Sequence, residues 1–313
     1  MTTVRIAPLL AGVMIITAAL QTVAYAGQTT RSTLAKPMSG SNATLTRTYV
    51  SGTGDDGNPC TAPWPCQTFA AALAVTVAGG EIYVLDSANY GPVNINKAVT
   101  ITSEGAVAGI LASSGVGITI SAGANDVINL RGLDIDGGNT GSVGIQFNSG
   151  QSLNIQKSSI RNFTGSGINF APSGASTLFV IDTTLINNVS NGISLANNAT
   201  GALSRVNATN NGVAILAYGS GVSLTVTDTV AGNNTYGIGA SSSAVMVRNS
   251  MFNSNSIGIC ADQSAMVRVS QSTITANVTG WQAMNGGQVV SYSNNNVGGN
   301  TTDGIATTTV ALE

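Results

Sequence analysis

The sequence has no histidine among its 313 residues, and this absence removes more chemistry than any other. No imidazole base, Ser-His pair or histidine-ligated metal is available. A zinc site would need four sulfur or carboxylate ligands, and there are only three cysteines. Charge is scarce too: Asp, Glu, Lys and Arg make up 8% of the chain and the net charge is -2. No basic field exists to attract nucleic acid or an anionic membrane. Aromatic residues amount to 5% and do not cluster along the chain, so no sugar-stacking platform stands out. The hydrophobic fraction is nevertheless 43%, and a chain this apolar with so little charge is expected to fold.

Long apolar runs are also missing, except at the start. Arg5, the run Leu9 to Leu20, and Ala24-Tyr25-Ala26 read as the charged, apolar and cleavage regions of a secretory signal peptide over residues 1–26. The run is shorter than the about 18 residues a membrane anchor requires. Loss of Arg5 on cleavage takes the net charge from -2 to -3, and the mature protein is expected to be secreted or periplasmic with no membrane span. In such an oxidising space Cys60 and Cys66, which close a short loop around Trp64, read as a disulfide, with a metal pair or two free thiols as alternatives. Cys260 is left over, either as a buried filler or as an exposed thiol open to intermolecular pairing.

What the chain does have is one phrase, a Gly followed by a large apolar residue. It recurs at Gly117, Gly144, Gly167, Gly192, Gly212, Gly237, Gly258, Gly280 and Gly304, at intervals of 20 to 27 residues. A period of this length marks a solenoid, whose repeats bury their apolar faces by stacking on one another. Within each repeat an apolar-x-apolar pair comes earlier, as at Leu153 and Ile155, Leu178 and Val180, Leu224 and Val226, Val245 and Val247, and Val267 and Val269. A third apolar residue follows about five places on. These spacings predict three short strands per coil and roughly ten coils.

Residues 27–47 show no periodicity and read as a linker, so a single domain is expected over 48–313. Phe69, Leu73 and Val77 predict a short amphipathic helix at 67–77, ended by Gly79-Gly80, within an N-terminal cap at about 48–80. Strands are expected at Glu81 to Leu85 and Val93 to Ile101. Asn162, Asn187, Asn188, Asn210, Asn211, Asn233, Asn234, Asn253, Asn255 and Asn277 precede successive Gly-apolar phrases. Asn tolerates left-handed geometry and stacks through its amide, so these residues predict an Asn ladder at one corner. The N-x-S/T sequons among them belong to the corner chemistry.

Coils of about 23 residues with these features resemble the right-handed parallel β-helix of the pectin lyase-like superfamily. The stretch from Tyr49 through Asp55-Asp56-Gly57-Asn58 to Cys60, with Pro65-Cys66-Gln67-Thr68-Phe69, resembles the opening of many secreted bacterial β-helix proteins. The resemblance covers about residues 48 to 313 and implies an all-β, single-domain solenoid. It leaves activity open, because the superfamily holds lyases, hydrolases, epimerases and non-catalytic surface proteins. The G-H-G and R-I-K motifs of its polygalacturonase-like members are absent here, as are the W-I-D-H segment and Arg-x-Pro of its pectate lyase-like members.

The candidate catalytic residues are therefore carboxylates: Asp134, Asp136, Asp182 and Asp228. Asp134 and Asp136 flank Ile135, so both project outward about 6.6 Å apart along a strand, near the range for paired catalytic carboxylates. The competing reading is an ordinary strand end with Asp136 stacked beside Arg161 of the next coil. Aligning the coils also stacks Lys157, Asp182, Asp228, Asn249 and Gln271 in one outward column, with Asn207 placed between the two aspartates. Lys157, Asn207, Asn249 and Gln271 are the candidate ligand-binding residues for a glycan, the alternative being a merely solvated face. No cofactor is expected. Calcium at Asp55-Asp56-Gly57-Asn58 is the one candidate, against a plain turn. Trp281 replaces the Ile of the phrase and reads as packing, while Tyr218, Tyr236 and Tyr292 are candidate surface contacts. With the recognisable catalytic motifs missing, the expectation is a non-catalytic protein binding glycan or another extracellular surface. The alternative is a polysaccharide lyase or glycoside hydrolase acting on an acidic polysaccharide.

Overall fold

Alternating apolar and polar residues in runs of three to seven positions, broken by Gly, Asn and Ser, give short strands that bury one face each. The computed structural model describes residues 44–311, so the signal-peptide stretch and residues 27–43 of the linker stretch lie outside the described residues. The described chain forms three parallel sheets of 12, 9 and 10 strands. A coil visits them in turn: the second sheet (Val116–Ser121), the first (Val127–Arg131), the third (Leu133–Asp136), then the second again (Val143–Ser149). Each strand pairs in parallel with its counterpart one coil on, as Ser152–Gln156 does with Thr177–Ile181. This is the parallel β-helix that the resemblance implied. The nine strands of the smallest sheet set nine complete coils rather than ten.

The core is a set of columns. Ile118, Ile145, Ile168, Ile193, Ile215, Ile238, Ile259 and Trp281 follow one another down the second sheet, and all are buried. The Gly before the Ile suits the close approach of coils there, and one coil carries Ala214 instead. A Cβ on Gly144 would lie 2.4 Å from the carbonyl oxygen of Gly167. Two of the nine phrases are not part of this column. Ile193 pairs with Ile215, so that coil reads Ala214-Ile215, and Gly212-Val213 sits two residues early. Gly304-Ile305 falls after the last coil, with Ile305 88% exposed.

Two hidden polar ladders hold the corners. At the turn from third to second sheet, Asn162, Asn187, Asn210 and Asn233 take left-handed backbone angles, φ 57 to 61°. The next residue in each coil after the first is a buried Asn. Its Nδ2 donates to the Oδ1 one coil on: Asn188 to Asn211 (3.0 Å), Asn211 to Asn234 (3.2 Å), Asn234 to Asn255 (2.9 Å), Asn255 to Asn277 (3.0 Å) and Asn277 to Asn300 (2.9 Å). At the turn from first to third sheet, Ser158, Thr183, Thr229, Ser250 and Ser272 are buried and donate to the carbonyl two residues back.

The N-terminal end is closed by the helix Phe69–Val75, two residues shorter at each end than its spacing suggests. Its buried face is Phe69, Ala72 and Leu73, with Phe69 packed on Tyr90 at a ring-centre distance of 5.1 Å. Asp56 accepts hydrogen bonds from the amides of Gln67 (2.9 Å) and Thr68 (2.8 Å) and from the Thr68 hydroxyl, and Thr68 caps the helix. Asp55 closes its own turn on Gly57. Both carboxylates of the calcium candidate are thus engaged in local structure. Cys60 and Cys66 are joined, and Cys260 is a buried free thiol. The opening strand, Leu45–Val50, starts inside the stretch read as linker.

Candidate functional site: a charged corner

The turn from first to third sheet is made by a single left-handed residue per coil. In order these are Gly132, Lys157, Asp182, Arg205, Asp228, Asn249 and Gln271, with φ between 46 and 72°. After five of them a buried hydroxyl satisfies the backbone, and after Gly132 and Arg205 the amides of Leu133 and Val206 donate to the hydroxyl one coil on, so the left-handed side chain itself makes none of these bonds. The predicted column is thus real, with one correction. The position between Asp182 and Asp228 belongs to Arg205, because Leu203 pairs with Val180 and Val226 and Arg205 lies two residues beyond it. Asn207 instead heads the third-sheet strand Asn207–Thr209 and pairs with Thr184, in the column of Asp134 and Ser159. The slip arose because this coil reads Gly201-Ala202-Leu203 and lacks a paired apolar anchor.

Beside this column run the last residues of the first-sheet strands: Arg131, Gln156, Ile181, Ser204, Thr227 and Arg248, in register. Sequence reading missed Arg131, Arg205 and Arg248, although each lies one or two places after the inward residue of its coil. Taken coil by coil from Glu104, the edge alternates in sign with one interruption. Arg131 donates to Glu104 (3.2 Å) and Gln156 (2.8 Å). Arg205 grips Asp182 through Nε (2.6 Å) and Nη2 (3.1 Å), and this guanidinium holds the Asp182 carboxyl below the usual range. Asp228 accepts from Asn249 at 2.6 Å. The interruption is Lys157, an exposed cation next to another cation, whose ammonium has no hydrogen-bond or ion-pair partner among the described residues. Lys157 lines two adjoining depressions of about 430 and 490 Å³, the first shared with Glu104 and Arg131 and the second with Asp134 and Asp182.

Asp134 and Asp136 do project outward together, and Arg161 takes both. Its Nη1 and Nη2 pair with Asp134, and Nη2 also lies 3.1 Å from Asp136. Burial pushes the Asp136 carboxyl up, but the Gly138 amide, Asn162 and Arg161 outweigh it and hold it below the usual carboxylate range. A pair clamped in this way is poorly suited to the proton exchange that hydrolysis demands of two carboxylates. Gln271 accepts from Arg248 at 3.0 Å. Tyr218 and Tyr236 lie on second-sheet strands, away from this edge, while Tyr292 follows the first-sheet strand Gln288–Ser291. Trp281 is core, as its place in the phrase suggested. No group of three or more acidic or sulfur ligands is assembled among the described residues, and none of their helices is long and apolar enough to cross a membrane.

The fold and this edge define a parallel β-helix with a charged groove along one corner. No protein-family model and no curated protein matches the chain. Among solved structures it is similar to an alginate lyase from Paenibacillus sp. str. FPU-7, with a TM-score of 0.57 and 13% identity over 85% of this chain and 98% of that one. It is also similar to the pectate lyase Pel9A (TM-score 0.49, 16% identity, 80% of this chain and 68% of that one). A third similar structure is the A-module of the mannuronan C-5 epimerase AlgE4 of Azotobacter vinelandii (0.45, 14%, 75% and 91%). At these identities the likeness speaks for the fold. The expectation of a non-catalytic binding protein is corrected here: the similar structure matched over nearly its whole length is an alginate lyase, which favours the enzyme alternative as the reading to propose.

Proposed function

We propose that the chain is a lyase that cleaves an acidic, uronate-containing polysaccharide at the Arg131–Lys157 corner. The observation that carries this reading is the break in the charge ladder: two cations stand on adjacent coils, one register position apart, beside open grooves, and one of them has no partner within the described protein. A substrate carboxylate supplies the missing negative charge.

The chemistry follows from what a uronate needs. The proton on the carbon beside its carboxylate becomes removable when the charge developing on that carboxylate is stabilised. Arg131 has its Nε and Nη1 engaged and its Nη2 free to take the carboxylate. Lys157, which meets the chain as a cation, gives its own proton to solvent before its amine accepts the one from the sugar carbon. The electron pair forms a C=C bond, the bond from the next carbon to the glycosidic oxygen breaks, and that oxygen is protonated by the Lys157 ammonium just formed or by water. Hydrolysis by Asp134 and Asp136 is the weaker option, since Arg161 occupies both. The fold shared with an alginate lyase and the Cys60–Cys66 disulfide support a polysaccharide substrate met outside the cytoplasm.

The test is to incubate the purified protein with polymannuronate, polyguluronate and polygalacturonate and follow the ultraviolet absorbance of the unsaturated product. A rise in absorbance that Lys157→Gln abolishes is the expected result. New reducing ends without the chromophore would replace elimination by hydrolysis, and no product from any acidic polymer would defeat the proposal.

A further inference from the structure

Four coils beyond Lys157 on the same edge, a groove of about 560 Å³ is lined by Thr227, Asp228, Arg248, Asn249 and Gln271. Arg248 is exposed and spends only its Nε, on Gln271. Both its Nη groups lack partners among the described residues, and no carboxylate forms an ion pair with it. The nearest acid in the groove, Asp228, is turned to the Asn249 amide. The arrangement is a bidentate donor fork facing open space, with amide and hydroxyl groups around it, and such a fork matches a carboxylate.

The route between the two grooves is regular. The strands Ser152–Gln156, Thr177–Ile181, Thr200–Ser204, Ser223–Thr227 and Ala244–Arg248 are successive rungs, so Lys157 and Arg248 stand about 19 Å apart along the edge at the usual strand spacing. Arg205 lies between them and is neutralised by Asp182. A mid-track position held neutral tolerates either a charged or an uncharged sugar.

We infer that Arg248 forms a second carboxylate subsite on the same track, and that the ligand is therefore a polyanionic chain lying parallel to the stack and long enough to reach both cations. A chain of linked pyranose rings advances by roughly one rung per sugar, so about five sugar units span the two sites. Shorter oligomers fill one site only. Longer ones gain the second contact intramolecularly, which tightens binding by about 10- to 100-fold without any change at the first site. This inference rests on the Lys157 corner being the substrate site.

The experiment is calorimetric titration with a size series of oligouronates against the wild-type protein and Arg248→Gln, with ultraviolet detection of turnover in parallel samples. Gln156 occupies the register position equivalent to Arg248, so the substitution suits the backbone, and circular dichroism checks it. The expected result is a step in affinity near five units in the wild type that disappears in Arg248→Gln, the loss being confined to the long oligomers. Affinity that rises smoothly with length, or a step that survives Arg248→Gln, overturns the second subsite even where turnover is seen. A step without turnover on any polymer upholds the track and defeats the lyase reading alone.

Discussion

The two tight corners of the coil solve the same backbone problem and use their side chains in opposite ways. At the third-to-second corner the satisfying group is the buried amide of Asn188, Asn211, Asn234, Asn255 and Asn277, each bonded to the next. Each amide is donor to one neighbour and acceptor from the other, and the residue repeats. At the first-to-third corner the satisfying group is a hydroxyl one residue further on, at Ser158, Thr183, Thr229, Ser250 or Ser272. The turn residue before each hydroxyl is thereby released, and it appears as Lys, Asp, Asn and Gln. Where folding is handled by a hidden neighbour, the exposed side chain is free for function.

The sharpest way to break this comparison is to substitute at each corner and read activity and stability separately. Lys157→Gln should lower turnover of an acidic polymer by about 10²- to 10⁴-fold, the usual contribution of a proton-transferring group. Its melting temperature should not move, since Gln271 already occupies the same left-handed position at φ 51°. A fall in melting temperature alongside the activity would make Lys157 structural. The reverse is expected of Asn234→Ala. Its amide receives from the Asn211 side chain and backbone and donates to Asn255, Ala208 and Gly232, so truncation strands buried polar groups and costs about 3 kcal/mol. Chemical denaturation checks this, with Asn249→Gly at the variable corner as the contrast, expected within about 0.5 kcal/mol of wild type.

Two smaller effects sharpen the picture. Asp86, near the cap, accepts from the Gly52 amide (2.7 Å), the Ser51 hydroxyl (2.5 Å) and the Tyr90 hydroxyl (2.8 Å), and the Gly52 and Ser51 bonds hold its carboxyl below the usual range. A carboxyl with a depressed folded value adds stability that is complete above its unfolded value of about 3.9 and is lost as pH falls through the folded value. Asp86→Asn should therefore flatten the acid side of the stability profile below about pH 4 and leave its neutral side merely lowered. The smallest effect is at Asp182. Removing its charge with Asp182→Asn frees Arg205 and takes a negative charge off the track, so long oligouronates should bind about two- to threefold tighter. Abolished turnover in that variant would return Asp182 to the role of a catalytic carboxylate.

The repeat length, the inward columns, the Asn ladder and the capping helix were all legible in the sequence, because each is a local pattern repeated many times. Register failed where the pattern lost its anchor. Gly201-Ala202-Leu203 offers one large apolar residue instead of two, and this put Asn207 in the place of Arg205. In the next part of that coil Ala214 stands in the Gly column, and Gly212-Val213 imitates the phrase two residues early. The stacking of Asp136 beside Arg161 was legible in the sequence, but not that the same guanidinium also takes Asp134.

By itself the sequence determined that the chain is a stack of three-strand coils, because burial of alternating apolar residues leaves little other choice at this period. Which strand-end residues lie beside the turn column, and which charges cancel, was decided only by tertiary structure. Charges 20 to 27 residues apart become neighbours about 4.8 Å apart when coils stack, and a single slip in register changes which of them meet. Lys157 stands out as the cation left over, and that is a property of the stacked edge that no single coil contains.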